Sequence, residues 1–273
     1  AFHISMKKIY FLLFAILFAC VGCQWKLSCV TDDEISIEVE RYDRIQSLYL
    51  TTGDFSALQQ MNTDYPMQTR TLIEDVLKIG KVNDPEINQK YLAFYQDTVL
   101  QELINSAEQQ YANMEDINKE LTKCFKRLKE IMPDMDIPMV YAQIGALDQS
   151  IIVGNNTIGI CIDKYLGANY PLYLKYYPAD QRKLMVRSMI VPDCLTFYIM
   201  SKYPIPNHDE AGQEYCDIQV SKIFWLVNHI MQKKVFKHMC YVDNITWYMK
   251  KHKEITPAQL MNMPITIGDL KKR

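Results

Sequence analysis

The stretch that decides the fold is IIVGNNTIGICI, residues 151–162. Two short apolar runs flank a Gly-Asn-Asn turn, a pattern that predicts a β-hairpin. In the second run, Ile158, Ile160 and Ile162 alternate with smaller residues, as expected of a strand whose side chains point to two faces. A further strand is predicted from the sequence MVYA. The sequence therefore predicts a small antiparallel or mixed sheet made by residues 139–142, 151–153 and 157–162.

Helical signals dominate on both sides of this sheet. The clearest helix runs from about Met114 to Met132, where apolar residues recur every three or four positions, and Pro133 ends it. Basic residues lie mostly away from the apolar stripe. We interpret them as the solvated side of the helix, with a partner-binding patch as the alternative. They are Lys123, Lys126, Arg127 and Lys129.

Three further segments complete the predicted domain. The residues from Ala179 to Met200 are apolar along most of their length, so they predict a buried helix beneath the sheet, kinked at Pro192. Tyr215 to Val235 predicts another helix, and the alternation in residues 35–39 predicts a short strand. The expected fold class is α+β, a mainly helical single domain over residues 35–273 with a small sheet.

The first residues are typical of a targeting segment. Two lysines follow Met6, and an apolar run over residues 9–21 comes next. This run is shorter than a membrane-spanning helix requires, so residues 1–22 predict a secretory signal peptide. The run ends at Cys20 and Cys23. A cysteine at this place resembles the bacterial lipoprotein signal, in which the thiol receives fatty acyl chains such as palmitate and becomes the mature N-terminus.

Cys23 is the preferred lipidation site because Gly22 stands directly before it. Cys20 is the second choice, since Phe18 is bulky where a small residue is usual. Residues 23–34 then form a polar tether to a membrane held through lipid. Acidic residues begin only at Asp32, later than is usual for surface export, so we expect an outer-membrane protein that faces the periplasm.

Composition and charge exclude several function classes. Lys and Arg number 30 against 32 Asp and Glu, so no strong basic field exists to attract nucleic acid. With 9 glycines and no glycine-rich loop, no phosphate-binding motif is present and no cofactor is predicted. The 8 cysteines lack zinc-site spacing outside the signal region, so we expect most of them to be buried free thiols.

Five stretches follow one another along the chain, namely IEVERYD (37–43), DYP (64–66), FKRLK (125–129), IPMVY (137–141) and ICIDKYLGANYP (160–171). The most specific of them is the last, in which a strand leads into an Asp-x-Tyr-Leu-Gly turn. This order of segments resembles the gliding-motility lipoprotein GldB family of the Bacteroidetes. The resemblance implies a lipid-anchored cell-envelope protein associated with gliding motility, and other envelope proteins as partners.

This family is distantly similar to predicted zinc peptidases of the zincin type, which carry a His-Glu-x-x-His helix after such a hairpin. Here the corresponding residues are IVPDC (190–194), so the resemblance implies a degenerate zincin-like fold without the metal motif. We therefore predict no metal site and no catalytic residues. Asp163 and Asp193 are the candidate cleft carboxylates, although a helix cap and an acceptor at a kink are the favoured interpretations.

Two function classes follow from the sequence. The first is a non-catalytic, lipid-anchored protein that binds or organises other envelope components. The alternative is a degenerate or atypical peptidase or hydrolase whose site the sequence does not reveal. A cleft of convergent polar groups with shifted pKa values would favour the alternative.

Overall fold

The computed structural model describes residues 35–205 and 211–271. The predictions for the signal peptide, for Cys20, Cys23 and the tether lie outside the described residues. Residues Ser36–Arg273 form one compact unit. Within its described part, helices dominate and three strands form one mixed sheet, so the α+β class is confirmed.

The helices follow local signals that the sequence carries. Asp54 accepts a hydrogen bond from the backbone N–H of Ala57 at the start of α2, and Pro66 and Pro257 stand at the first positions of α3 and α12. A π-helical turn, Leu72–Val76, continues α3. The helices are α1 (Tyr42–Thr52), α2 (Phe55–Thr63), α3 (Pro66–Thr71), α4 (Ile87–Tyr95), α5 (Thr98–Gln110), α6 (Glu115–Ile131), α7 (Pro171–Tyr176), α8 (Ala179–Arg182), α9 (Ile190–Lys202), α10 (Gln213–Met231), α11 (Val242–Lys251), α12 (Pro257–Asn262) and α13 (Ile267–Leu270).

The sheet contains the three predicted strands in the order β1-β3-β2, where β1 is Met139–Gln143, β2 is Ile151–Gly154 and β3 is Thr157–Cys161. β2 and β3 are antiparallel and form the predicted hairpin. Asn156 in its turn has a φ of 56°, a left-handed conformation that asparagine tolerates well. β1 runs parallel to β3, so the sheet is mixed.

Both faces of the central strand are covered. Every residue of β1 and β3 beyond the first is buried, and α9 packs against β2 and β3 while α1 packs against β1. The rings of Tyr42 in α1 and Tyr141 in β1 meet edge to face at 6.3 Å between centroids. Gly159 lies beside Tyr141, and a Cβ there would stand 2.5 Å from the phenol oxygen. The position therefore requires glycine.

The strand predicted over residues 35–39 is wrong, although its alternation is real. Ile37 and Val39 are buried as the pattern indicates, but only Glu40 bridges β1. The backbone N–H groups of Ile37 and Val39 instead donate to the side chains of Thr122 (2.9 Å) and Asn118 (3.1 Å) in α6. The segment is extended because a helix, and not a strand, satisfies its backbone.

The single helix predicted from Ala179 to Met200 is also wrong. α8 ends at Arg182 and α9 begins at Ile190, with a 3₁₀ turn, Arg187–Met189, before it. The chain between them is held to another loop, since Gly167 N–H donates to Met185 O. Pro192 falls in the first turn of α9, where its missing N–H leaves no hydrogen bond unmade, so it does not kink the helix.

Helix α6 confirms the predicted amphipathic helix within one residue at each end. Of the cysteines that the structure describes, all are free thiols. Cys124, Cys161 and Cys194 are buried, Cys216 is half-buried and Cys240 is exposed. The search for a helix long and apolar enough to cross a membrane found none in the described residues.

Candidate functional site

Asp163 lies in the 3₁₀ turn Ile162–Lys164 that follows β3, and it is fully buried. Its Oδ1 accepts the N–H of Gly145 at 2.8 Å, and its Oδ2 accepts the N–H of Leu147 at 2.7 Å. Burial raises the pKa of this carboxyl above its usual range, while the two N–H donors act in the opposite direction. Both oxygens are therefore engaged in holding the loop that follows β1.

That loop, residues 144–148, has a conformation that needs support. Ala146 and Leu147 both have positive φ, 51° and 64°, which L-residues with side chains rarely adopt in succession. Gln46 in α1 binds both backbone groups of Ile144, its Oε1 accepting the N–H (2.9 Å) and its Nε2 donating to the carbonyl (2.8 Å). Together with Asp163, Gln46 fixes the strained loop from two directions.

The other side of the loop is held by a buried lysine. Lys164 Nζ donates to Leu147 O and to the hydroxyl of Tyr177, each at 3.1 Å, and it also lies 4.6 Å from the Tyr177 ring centroid. The Tyr177 hydroxyl donates to the same carbonyl of Leu147. A cavity of about 480 Å³ lies beside this loop, bordered by Val76, Leu77, Phe94, Gly145, Ala146, Leu147, Asp148, Tyr176 and Tyr177.

Tyrosine hydroxyls fix the turn that carries Asp163. The hydroxyl of Tyr173 in α7 donates to Asp163 O and accepts the N–H of Leu166. Tyr111 donates to Tyr165 O at 2.6 Å. These rings are buried, and their hydroxyls satisfy backbone groups that no secondary structure pairs. The Asp-x-Tyr-Leu-Gly turn is therefore a rigid element of the core.

Asp193 is the fourth residue of α9 and is half-buried. Its Oδ2 accepts a hydrogen bond from the Tyr165 hydroxyl at 2.8 Å. Burial raises the pKa of this carboxyl from 3.8 to about 7, and the Tyr165 hydrogen bond opposes that rise in part. Asp193 is therefore poised to exchange a proton near neutral pH, a property that also marks many acid–base residues.

The two candidate carboxylates, Asp163 and Asp193, accept hydrogen bonds from different groups. Asp163 binds backbone N–H groups of the loop after β1, whereas Asp193 binds a phenol, and the two share no hydrogen-bond partner. Tyr165 is the element between them, because it follows the Asp163 turn in the chain and reaches Asp193 with its hydroxyl. Asp163 maintains a backbone conformation, and Asp193 is the carboxyl with capacity for proton exchange.

No group of three or more His, Cys, Asp or Glu side chains is placed to hold a metal ion within residues 35–205 and 211–271. The histidines of this region have separate partners. His229 stacks on Trp225 with ring centroids 5.2 Å apart, His238 contacts Asp243, and His252 contacts Glu254. Cys194, next to Asp193, is fully buried, and burial raises the pKa of its thiol.

Sequence reasoning missed Gln46, Lys164 and Tyr173, which hold the loop after β1 and the Asp163 turn. Each comes from a segment far from the loop or the turn it supports, and no local spacing marks any of them. Lys164 alone carried a signal, since it stands inside the Asp-x-Tyr-Leu-Gly stretch.

No curated protein and no solved structure matches the chain. The model of one protein family, described as gliding motility protein GldB, matches residues 24–239. This region includes the sheet, the Asp163 turn and all helices from α1 to α10. The similarity to zincins gains no support from these comparisons and stays a prediction. The chain belongs to the gliding motility protein GldB family.

Proposed function

We propose that this protein is anchored to the outer membrane by lipid on Cys23, faces the periplasm, and binds or organises other envelope proteins without catalysing a reaction. The proposal of a lipid anchor is supported by the position at which the family match begins. It starts at residue 24, directly after Cys23 and four residues after Cys20. This start lies next to both candidate cysteines, and Cys23 stays the preferred one because Gly22 stands directly before it.

The geometry of Asp163 supports a non-catalytic role. Asp163 gives both oxygens to backbone N–H groups of its own loop, so binding a substrate would cost those hydrogen bonds. The surrounding tyrosines are likewise engaged with backbone carbonyls. A turn whose polar groups are held in this way suits a protein that presents a surface to partners.

The anchor is tested by substituting each cysteine in the native host. Cells that produce the wild type, Cys23→Ala or Cys20→Ala are fed a fatty acid with an alkyne tag, and membranes are separated from the soluble fraction. We expect Cys23→Ala to lose the label and to leave the membrane or to accumulate as precursor. Cys20→Ala, the matched control, should keep both the lipid label and its place in the membrane fraction. The reverse pattern would move the anchor to Cys20, and no effect of either would refute lipid anchoring.

The remaining parts of the proposal need two further measurements. Protease added to intact cells should leave the domain uncut, because it faces the periplasm; removal of the domain would overturn that orientation. Crosslinking of the anchored protein should recover the same envelope proteins from wild type and Asp193→Asn. If that variant stays folded and membrane-bound but no longer restores motility to a deletion strain, the hydrolase alternative gains support.

A further inference from the structure

A groove of about 770 Å³ runs between the segment Ser36–Val39 and helix α6. Asn118 and Thr122 form its inner side, where they bind the backbone of that segment. Four basic side chains border the groove, namely Arg41, Lys119, Lys123 and Lys126. The α6 residues recur at intervals of three and four, so they lie along one side of the helix.

The basic residues continue beyond the groove. Arg127 of α6 donates to Ile230 O at 3.0 Å and to Gln232 Oε1 at 2.9 Å, which places the end of α10 against α6. Lys233 contacts Glu120 at 2.9 Å, and Lys234 and Lys237 follow it as exposed residues. We call the following set the basic face: Arg41, Lys119, Lys123, Lys126, Arg127, Lys233, Lys234 and Lys237.

Carboxylates pair with only part of this face. Arg41 pairs with Asp43 at 2.6 Å, and Lys119 with Glu115 and Lys233 with Glu120 at 2.9 Å each. Glu38 also borders the groove. Among the described residues, Lys123, Lys126 and Lys234 have no carboxylate within ion-pair distance. The chain as a whole has a net charge of −2, so the rest of the molecule is acidic relative to this face. Such an asymmetry orients a protein at an anionic surface.

The tether joins the compact unit at this same face. Ser36 is the first residue of the unit, and it borders the groove. With lipid on Cys23, the thirteen residues to Ser36 reach at most roughly 45 Å when fully extended. The covalent path therefore limits the distance between Ser36, which borders the groove, and the membrane surface to at most roughly 45 Å.

We propose that the basic face lies on the membrane and binds the anionic phosphates of lipid headgroups. This proposal rests on the lipid anchor proposed above and adds the orientation of the domain on its membrane. Basic residues close to an anionic surface each contribute a favourable interaction, and a basic patch complements an acyl anchor. If these lysines are merely a solvated surface, anionic lipid has no effect on them. An experiment that varies the lipid charge therefore separates a solvated surface from a lipid-binding one.

Lysine acetylation of the complete, lipidated protein tests the proposal. The protein is reconstituted into vesicles of phosphatidylcholine alone or with about 30% phosphatidylglycerol, and floated vesicles are treated with a membrane-impermeant acetylating reagent. Mass spectrometry then gives the rate at each lysine. On anionic vesicles we expect Lys123, Lys126 and Lys234 to react at about one third of their rate on neutral vesicles, or more slowly still. Salt at about 0.5 M should abolish the difference.

Internal and matched controls make the outcome decisive. Lys250, Lys251 and Lys253 are exposed at the end of α11 and should react equally on both vesicles. The double variant K123E/K126E should lose the protection of Lys234, whereas K250E/K251E should keep it. Protein that floats but reacts equally on both vesicles would refute the basic face as a lipid-binding surface. Protein that does not float with either vesicle would refute the lipid anchor itself, and this proposal with it.

Discussion

Replacing Asp193 by asparagine isolates the energetic effect of one half-buried carboxyl. Its pKa is about 7 in the folded protein against 3.8 for the free side chain, because burial disfavours the ionised form. The folded state therefore binds this proton more tightly than the unfolded state. The stabilisation that this proton gives the folded state is fully present below about pH 4 and is lost as the pH rises through about 7.

The magnitude follows from the two pKa values. A difference of this size corresponds to roughly 4 kcal/mol of destabilisation once the group is ionised. Water reaches the half-buried carboxyl and reduces the effect, so we expect about 2 kcal/mol. Asparagine carries no charge, and its side-chain oxygen still accepts the hydrogen bond from Tyr165. Asp193→Asn should match the wild type near pH 4 and exceed it in stability at pH 8.

Urea unfolding followed by circular dichroism at pH 4.5, 6, 7 and 8 measures this difference. The free energy of unfolding should fall with pH in the wild type by about 2 kcal/mol more than in Asp193→Asn. Asp75→Asn, at an exposed carboxylate, is the matched control and should follow the wild type. Parallel pH profiles for the wild type and Asp193→Asn, or a variant less stable than the wild type at pH 8, would refute the reasoning.

Three further substitutions test the surrounding structure. Tyr165→Phe removes the donor that favours the ionised carboxylate, so the pH midpoint of this stability loss should move upward in the same unfolding series. Gly159→Ala places a Cβ against the Tyr141 ring and should lower the free energy of unfolding by about 1–3 kcal/mol, whereas an unchanged value would show that the ring moves aside. Gln46→Ala leaves the N–H of Ile144 buried without its acceptor and should cost about 1–3 kcal/mol, measured by urea unfolding; a loss below about 0.5 kcal/mol would contradict the role assigned to Gln46.

Elements governed by local signals could be predicted from the sequence. The hairpin has a Gly-Asn-Asn turn between two apolar runs, and α6 has an uninterrupted apolar stripe followed by proline. Both depend on interactions within about twenty residues, which a single sequence displays directly. The burial of α9 beneath the sheet was also predictable, since a helix apolar on most sides must be covered.

The failures depend on partners distant in the sequence. Alternation in residues 35–39 correctly indicated which side chains are buried, but not that Asn118 and Thr122 would satisfy the backbone from 79 and 85 residues away. Apolar composition likewise indicated the burial of residues 190–200, but residues 179–184 are mostly exposed, and it did not show where the helix breaks. For the candidate site, the sequence offered Asp163 as a carboxylate after a strand. Its partners, two N–H groups of a strained loop, exist only in the fold.

The segment where the tether enters has a mechanical consequence for an anchored protein. If the protein is anchored and bound to a partner as proposed, any pull between the two enters the compact unit at Ser36. Within the next four residues the chain is bonded to α6 through Thr122 and Asn118, and Glu40 is bonded to β1 by two backbone hydrogen bonds of 2.9 Å. The load therefore reaches both helix α6 and the buried sheet without passing through a peripheral helix. A protein that must stay folded while its anchor is pulled gains from this arrangement, because the core, its most stable part, carries the force.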